Sequence, residues 1–444
     1  MYGNRTSGHS FQPRGGYRGR GSRGHNWRGG QTQSKSVNNA GGQAPPFGAA
    51  LCTYQWQDFK QKVLKHNCQY LASFNWLKRN VPTMVIPGVP PKWSPPENTP
   101  HLEEDASEYF RDINAAQYPK HPIEPAVRAV LAQNHGLDTR EIDIFACGST
   151  MGSLLRFARQ ADKSFRFIVD TVEDTVFFIR RENSPTEKIV DVRGYGHTMP
   201  EAYTPLESCV RESVSHQRLI KYNFDSFTCV VRYEGDGYLG ESSSDSRAVS
   251  TMLPDHDGIS MQQGGKVIPQ KAIFDIKTRS HKKKSEDILG GELDRLWVRQ
   301  IPNFIMAYHQ HGNFNDIEVK DVRKQILQWE NDHVDELRVL SALVAEIVSY
   351  ARHHPDEAFE VCSQQQGVLE MRKLDGSFPR VMPEDLKLAW GGAESDGGSD
   401  SSESQGDQAG SDAEGGVDVD SDVEGDPDYT ACTEDCGYCG RCKY

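Results

Sequence analysis

The chain has 444 residues, ten cysteines and a formal net charge of −13. No apolar run reaches the ~20 residues of a membrane-spanning helix and no charged-then-apolar leader opens the sequence, so no membrane partner is expected. The acidity is local: from Gly391 onward 15 acids face only Arg441 and Lys443, and the rest of the chain balances at 48 acids to 48 bases.

Residues 1–50 are mostly Gly, Arg, Asn, Gln and Ser, with too little apolar surface to offset chain entropy, and disorder is predicted there. Arg5, Arg14, Arg18, Arg20, Arg23 and Arg28 meet no acid before Asp58, and glycines, Tyr17 and Trp27 are interleaved with them. Guanidinium groups pair with phosphates and stack on bases, so this arm suits single-stranded RNA. A solubilising tail is the alternative.

Residues 51–390 suit one sizeable α/β domain. Its pattern predicts a helix or strand-to-helix unit over 54–79, a proline-rich surface crossing at 86–100 and a helix over 123–134. A strand at 142–147 and a helix at 151–159 follow, then a hairpin from 165–170 and 175–181. Two more strands, 227–233 and 272–277, flank a long polar loop at 240–265. A helix at 289–300 and a strand at 303–309 precede a long helix or helix pair at 321–352, where Val322, Ile326, Trp329, Val334, Leu337, Val344 and Ile347 keep helical spacing.

Residues 391–428 form an acidic Gly/Ser tail, again predicted disordered. Residues 429–444 carry Cys432, Cys436, Cys439 and Cys442, whose thiolates suit Zn²⁺ or another soft metal. A docking peptide for a protein partner and a redox cluster are the alternatives. The other six cysteines show no pattern and fit a reducing compartment, nucleus or cytoplasm.

Two short stretches carry chemistry. In a strand over 272–277 alternate side chains share a face, which sets Ile273, Asp275 and Lys277 against Phe274 and Ile276. An exposed ion pair explains this, and so does half of a metal site. Upstream, Glu234 and Asp236 alternate in YEGDG, where an Asp-Gly turn is the plain account. If the two strands are neighbours, three carboxylates and a lysine meet, and their repulsion asks for a divalent cation. Oxygen ligands suit Mg²⁺ or Mn²⁺. Such ions activate water and hold both oxygens of a phosphodiester displacement while a lysine steadies the developing charge.

The order of these pieces, acidic-x-Asp, acidic-x-Lys-Thr, then a helix with Trp and Gln, resembles the decapping exoribonuclease family (DXO/Rai type) over about residues 142–314. That resemblance implies an α+β fold, with a mixed β-sheet core of PD-(D/E)xK nuclease type flanked by helices. It implies a metal-dependent RNA 5′-end nuclease that removes incomplete or non-standard caps or degrades RNA 5′ to 3′. It also implies roles for Glu234, Asp236 and Asp275 as metal ligands, with Lys277 and Gln300 completing the catalytic set. The family's earlier glutamate is matched by Glu201 in GHTMPEAY, where Pro200 interrupts the helix pattern. One departure stands out. The family's Trp-Arg-Gly, whose arginine helps hold the RNA 5′ end, corresponds here to ACGST at 146–150, which has no arginine. Arg156, just beyond, becomes the substitute anchor, with Arg14, Arg18, Arg20 and Arg28 binding RNA from the arm. The departure keeps a second class of function open, a catalytically silent RNA-binding or scaffold relative. An isoprenoid synthase is excluded, because no Asp-Asp-x-x-Asp pair is present.

Overall fold

The apolar runs at Phe165–Val172 and Thr175–Arg180 pair as the expected antiparallel hairpin, with Val169 opposite Phe178. Ile144–Cys147 lies parallel to the second arm and parallel to Phe227–Glu234 on its other side. Strands covered on both faces carry continuous apolar runs, as IFAC does here with all four residues buried.

The structure, a computed structural model, describes residues 47–55, 65–161, 163–189, 192–240, 258–374, 378 and 380–392. The arm arginines, most of the long polar loop, the acidic tail and the four tail cysteines lie outside these residues. Among the described residues an eleven-stranded mixed sheet starts at Ala50–Gln55 and runs through Val368–Lys373, Phe359–Gln365 and the hairpin to Ile144–Cys147. It continues through Phe227–Glu234, Ser213–Phe224, Lys65–Leu77 and Thr83–Ile86 to Ser260–Gln263. A four-stranded sheet comprises Gly237–Tyr238, Ile273–Ser280, Asn303–Gln310 and Asn313–Asp321. The helix Gly148–Ala158 packs against Ile288–Arg299 and Val334–His353, and Glu124–Gln133 packs on Lys65–Leu77 in a second apolar cluster. This is the mixed α+β architecture expected. No helix among the described residues is long and apolar enough to cross a membrane.

Two expectations are corrected, and the choice between a long helix and a helix pair is settled. The segment read as helical at 54–79 contains the strand Lys65–Leu77, paired along Ser213–Phe224. Residues 71–77 are all buried, so no period-two alternation marks them as a strand. The 321–352 region is two helices, Arg323–Asp332 and Val334–His353, parted at His333, whose ring stacks on Trp329. Most important, the strands bearing Glu234 and Asp275 are not neighbours. Phe227–Glu234 ends in the large sheet, with Glu234 opposite Gln217. The chain then steps across at Gly235 and Asp236, and Gly237–Tyr238 pairs with Ile273–Ser280 in the small sheet. Gly237 permits the step, since a Cβ there would stand 2.8 Å from the Pro91 carbonyl oxygen and collide with the Phe274 ring.

Candidate functional site

A cleft of about 560 Å³ opens where the chain steps between the sheets. Glu234, Gly235 and Asp236 line it together with Lys277, the turn Cys147–Ser149, and Arg295 and Arg299 from the helix Ile288–Arg299. In total, seven lysine and arginine side chains line the cleft against five carboxylates. Its charged wall carries a basic surplus, set among apolar residues such as Ile113, Val192 and Leu206.

Beneath it lies a buried ionic cluster. Asp275 is 1% exposed and does not reach the cleft surface. Arg295 Nη2 donates to its Oδ1 at 2.6 Å, and Arg299 Nη1 stands 3.7 Å from its Oδ2. Arg295 also binds Glu292, with Nε 3.0 Å and Nη2 2.9 Å from Oε2. Lys277 Nζ lies 3.0 Å from the other oxygen of Glu292. Glu292, Arg295 and Arg299 follow i, i+3, i+7 spacing, so one helix face delivers all three. Asp236 accepts the Ile276 N–H at 2.8 Å, which ties the crossing to the small sheet.

The acids here diverge in charge. Burial, then the neighbouring charge of Asp275, pushes the Asp236 carboxyl up to about 7. Burial also raises Asp275, though Arg295 and Arg299 hold it back. Burial works against ionising Glu292 too, but Lys277 and Arg295 outweigh it and leave that carboxyl below its ordinary value. Lys277 is lowered by burial and partly restored by Glu292.

These contacts decide how a divalent ion would fit. Among the described residues no three His, Cys, Asp or Glu side chains are placed to hold one metal. Asp236 and Asp275 do come together, but Asp275 is already occupied by guanidinium groups on the cleft side. Glu234 stays in the large sheet and Glu201 is exposed on the short helix Thr198–Tyr203. Glu201, Glu234 and Asp236 line the cleft together, Asp236 is bonded to the strand that carries Asp275, and the step between sheets sets Glu234 and Asp275 in different sheets.

The remaining expectations divide. Glu201 lines the cleft, and Pro200 does not break its helix because it sits in the first turn, where no N–H bond is needed. Lys277 lines the cleft too, but it is paired to Glu292, a residue the sequence reading passed over. Gln300 is corrected. It caps its helix in left-handed backbone (φ 52°), its Nε2 donates to the Trp297 carbonyl at 2.6 Å, and it does not line the cleft. Arg156 lies outside this cleft and lines a neighbouring cavity, with Nη2 donating to Ser153 Oγ at 3.0 Å. An arginine from another element lies beside the 146–150 turn. A Cβ on Gly148 would stand 3.3 Å from Arg299 Nε, so Arg299 lies directly against that turn. The i, i+3, i+7 spacing in ELDRLWVR was the available signal.

A second buried acid lines the cleft with the opposite balance. Asp112 caps the helix Ile113–Gln117, accepting from Asn114 N and Ala115 N at 3.0 and 3.2 Å. Arg180 Nε and Arg232 Nη2 each stand 3.9 Å from its other oxygen. Burial alone would raise its carboxyl, but the two arginines and the N–H donors outweigh it and hold it below the ordinary range.

A model of a domain of unknown function, DUF8563, matches residues 57–371. The chain belongs to that family. No curated protein matches the sequence of this DUF8563 chain. Solved structures do match its fold. Rai1 of Scheffersomyces stipitis, in complex with (3′-NADP)⁺ and calcium ion, aligns with TM-score 0.51 at 11% identity, covering 78% of this chain and 99% of that one. Rai1 of Candida albicans, in complex with pU5-Mn²⁺, gives 0.50 at 9% identity over 78% and 99%. Rai1 of S. pombe, in complex with 3′-FADP, gives 0.50 at 10% identity over 73% and 99%. Identity this low speaks to the fold alone, and there the resemblance read from the sequence is borne out. The DUF8563 chain has the fold of the Rai1 decapping exoribonucleases in a divergent sequence.

Proposed function

We propose that the cleft binds the 5′ end of single-stranded RNA through its arginines, and that the chain is a catalytically silent relative of the decapping nucleases. One observation carries this reading: Arg295 and Arg299, which line the cleft, both contact Asp275, which does not line it. Their fixed charges occupy the place where a divalent ion would have to meet that carboxylate. A guanidinium offers several donors in a plane and pairs with phosphate oxygens in charge-assisted bonds. Arg180, Arg193 and Arg232 line the same space. The RNA and nucleotide ligands carried by the Rai1 structures make such a ligand apt for this fold. The site would act in a reducing compartment, nucleus or cytoplasm, with the Arg/Gly-rich arm adding affinity.

A second reading, metal-dependent 5′-end cleavage, draws on the Asp236–Asp275 pair, whose mutual repulsion a bound cation would relieve. The experiment separates the two. Binding of a 5′-phosphorylated RNA by the full chain is measured by fluorescence anisotropy in EDTA and in Mn²⁺, and the RNA is then run on a gel. Equal affinity and intact RNA are expected. Manganese-dependent shortening that Asp275→Asn abolishes would replace the silent reading with the nuclease.

A further inference from the structure

Beside the cleft lies a second cavity of about 450 Å³, which shares Arg111, Ser149 and Arg180 with it. Six basic side chains line this cavity against two carboxylates, Glu182 and Glu187. Both acids are already engaged: Glu182 lies 2.6 Å from Arg180 Nε, and Glu187 lies 3.0 Å from Arg111 Nε. Glu360, 1% exposed, takes two more of the six, Arg166 at 2.6 Å and Arg181 at 2.9 Å. With Glu360 counted, six basic side chains, Arg156 and Lys163 among them, face three acids, and the cavity is net positive. Ser149, Thr150 and Ser153 stand along the same wall, where the Ser153 hydroxyl donates to the Ser149 carbonyl at 3.0 Å.

The rim adds a second kind of contact. Phe47 lines the cavity with its ring 4.1 Å from the Arg166 guanidinium carbon, and Phe165 and Phe167 stack beside it. Cationic grooves with aromatic faces suit single-stranded nucleic acid, whose backbone follows the charge while bases stack. Phe47 is also where residues 1–46, with their six arginines, join the described fold.

We propose that this second cavity holds the phosphodiester backbone of the nucleotides that follow the 5′ end. One RNA strand runs from the cleft past Arg111 and Arg180 into the basic cavity, towards the Arg/Gly-rich arm. The inference rests on the RNA reading of the cleft. It adds that affinity grows with RNA length through contacts the cleft does not make.

The test uses the full chain and 5′-phosphorylated RNAs of about 4 and about 16 nucleotides, the span of a single-strand binding site. Anisotropy gives the affinity of each over a salt series for the wild type and for Arg156→Glu/Lys163→Glu. The longer RNA is expected to bind the variant about tenfold more weakly, with a salt slope smaller by about 1.4 for two lost phosphate contacts. The shorter RNA is expected to bind both proteins equally. Arg156→Gln/Lys163→Gln, which adds no repulsion, keeps the direction with a smaller loss, and unchanged thermal midpoints show that both variants fold. Unchanged affinity for the longer RNA overturns the proposal, and so does an equal loss at both lengths. Failure of the wild type to bind the short RNA strikes the cleft reading instead, and failure at both lengths removes both.

Discussion

Asp112 is buried and Asp236 half-buried, both line the same cleft and both accept backbone N–H bonds, yet they are held in opposite states. Asp112 has two arginines and stays ionised. Asp236 has another carboxylate for a neighbour and is pushed up to about 7. Burial is common to both, so the countercharges decide the outcome. Even inside this cleft the protein supplies positive charge unevenly, in surplus at Asp112 and in deficit at Asp236.

The sharpest way to break that comparison is to remove each acid in turn. Asp112→Ala deletes a helix cap and leaves Arg180 and Arg232 without their shared carboxylate, and should cost about 3 kcal/mol in urea unfolding at neutral pH. Asp236→Asn removes a charge the fold does not favour and should leave stability equal or higher. Equal losses would mean that the countercharges do not distinguish the two sites.

The pH dependence sharpens the contrast. The Asp236 carboxyl, raised in the folded chain, holds its proton between about pH 4 and pH 7, where the unfolded chain has released its own. The folded state binds more protons in that window, so this group makes stability fall as pH rises through it. Asp112 acts with the other sign: its stabilisation is present above the unfolded carboxylate value and is lost as pH drops through its lower folded one. Asp236→Asn should therefore flatten the decline in melting temperature between about pH 4 and 7, and an unchanged profile would remove Asp236 as its source.

The smallest effect is expected at Gln300. Glycine accepts the left-handed backbone at no steric cost, so Gln300→Gly should leave stability within about 1 kcal/mol and RNA affinity unchanged. A tenfold loss of affinity would return Gln300 to the binding site.

The elements nearest this site were mostly legible in the sequence, because each carries a local signal. IFAC is an apolar run of strand length, FRFIVDTV and TVFFIR flank a short turn, and ILGGELDRLWVR keeps helical spacing. Pairing partners were not legible. Residues 71–77 of the strand Lys65–Leu77 are all buried and show no alternation, and nothing local announces that the chain changes sheets at Gly235. The relation of Glu234 to Asp275 was hidden for the same reason, since the strand that carries Glu234 ends before Asp236 and the two acids belong to different sheets. Asp275 and Lys277 follow from strand period, whereas their partners Glu292, Arg295 and Arg299 lie on a helix far along the chain, which no local pattern links to that strand.

The step at Gly235 also has a mechanical meaning. Two residues of one strand keep a separation fixed by the pleat, but Glu234 and Asp236 are anchored in different rafts of hydrogen bonds. The gap between their carboxylates therefore follows any shear of one raft against the other. Contacts at the seam, such as Phe274 packed on Trp93 and the Tyr238 N–H bonded to Pro91 at 3.0 Å, act as the gauge blocks that set it. Substitutions at Trp93 or Phe274, neither of which lines the cleft, would widen or narrow its mouth, so this fold can be refitted to a different ligand without altering a residue that touches it.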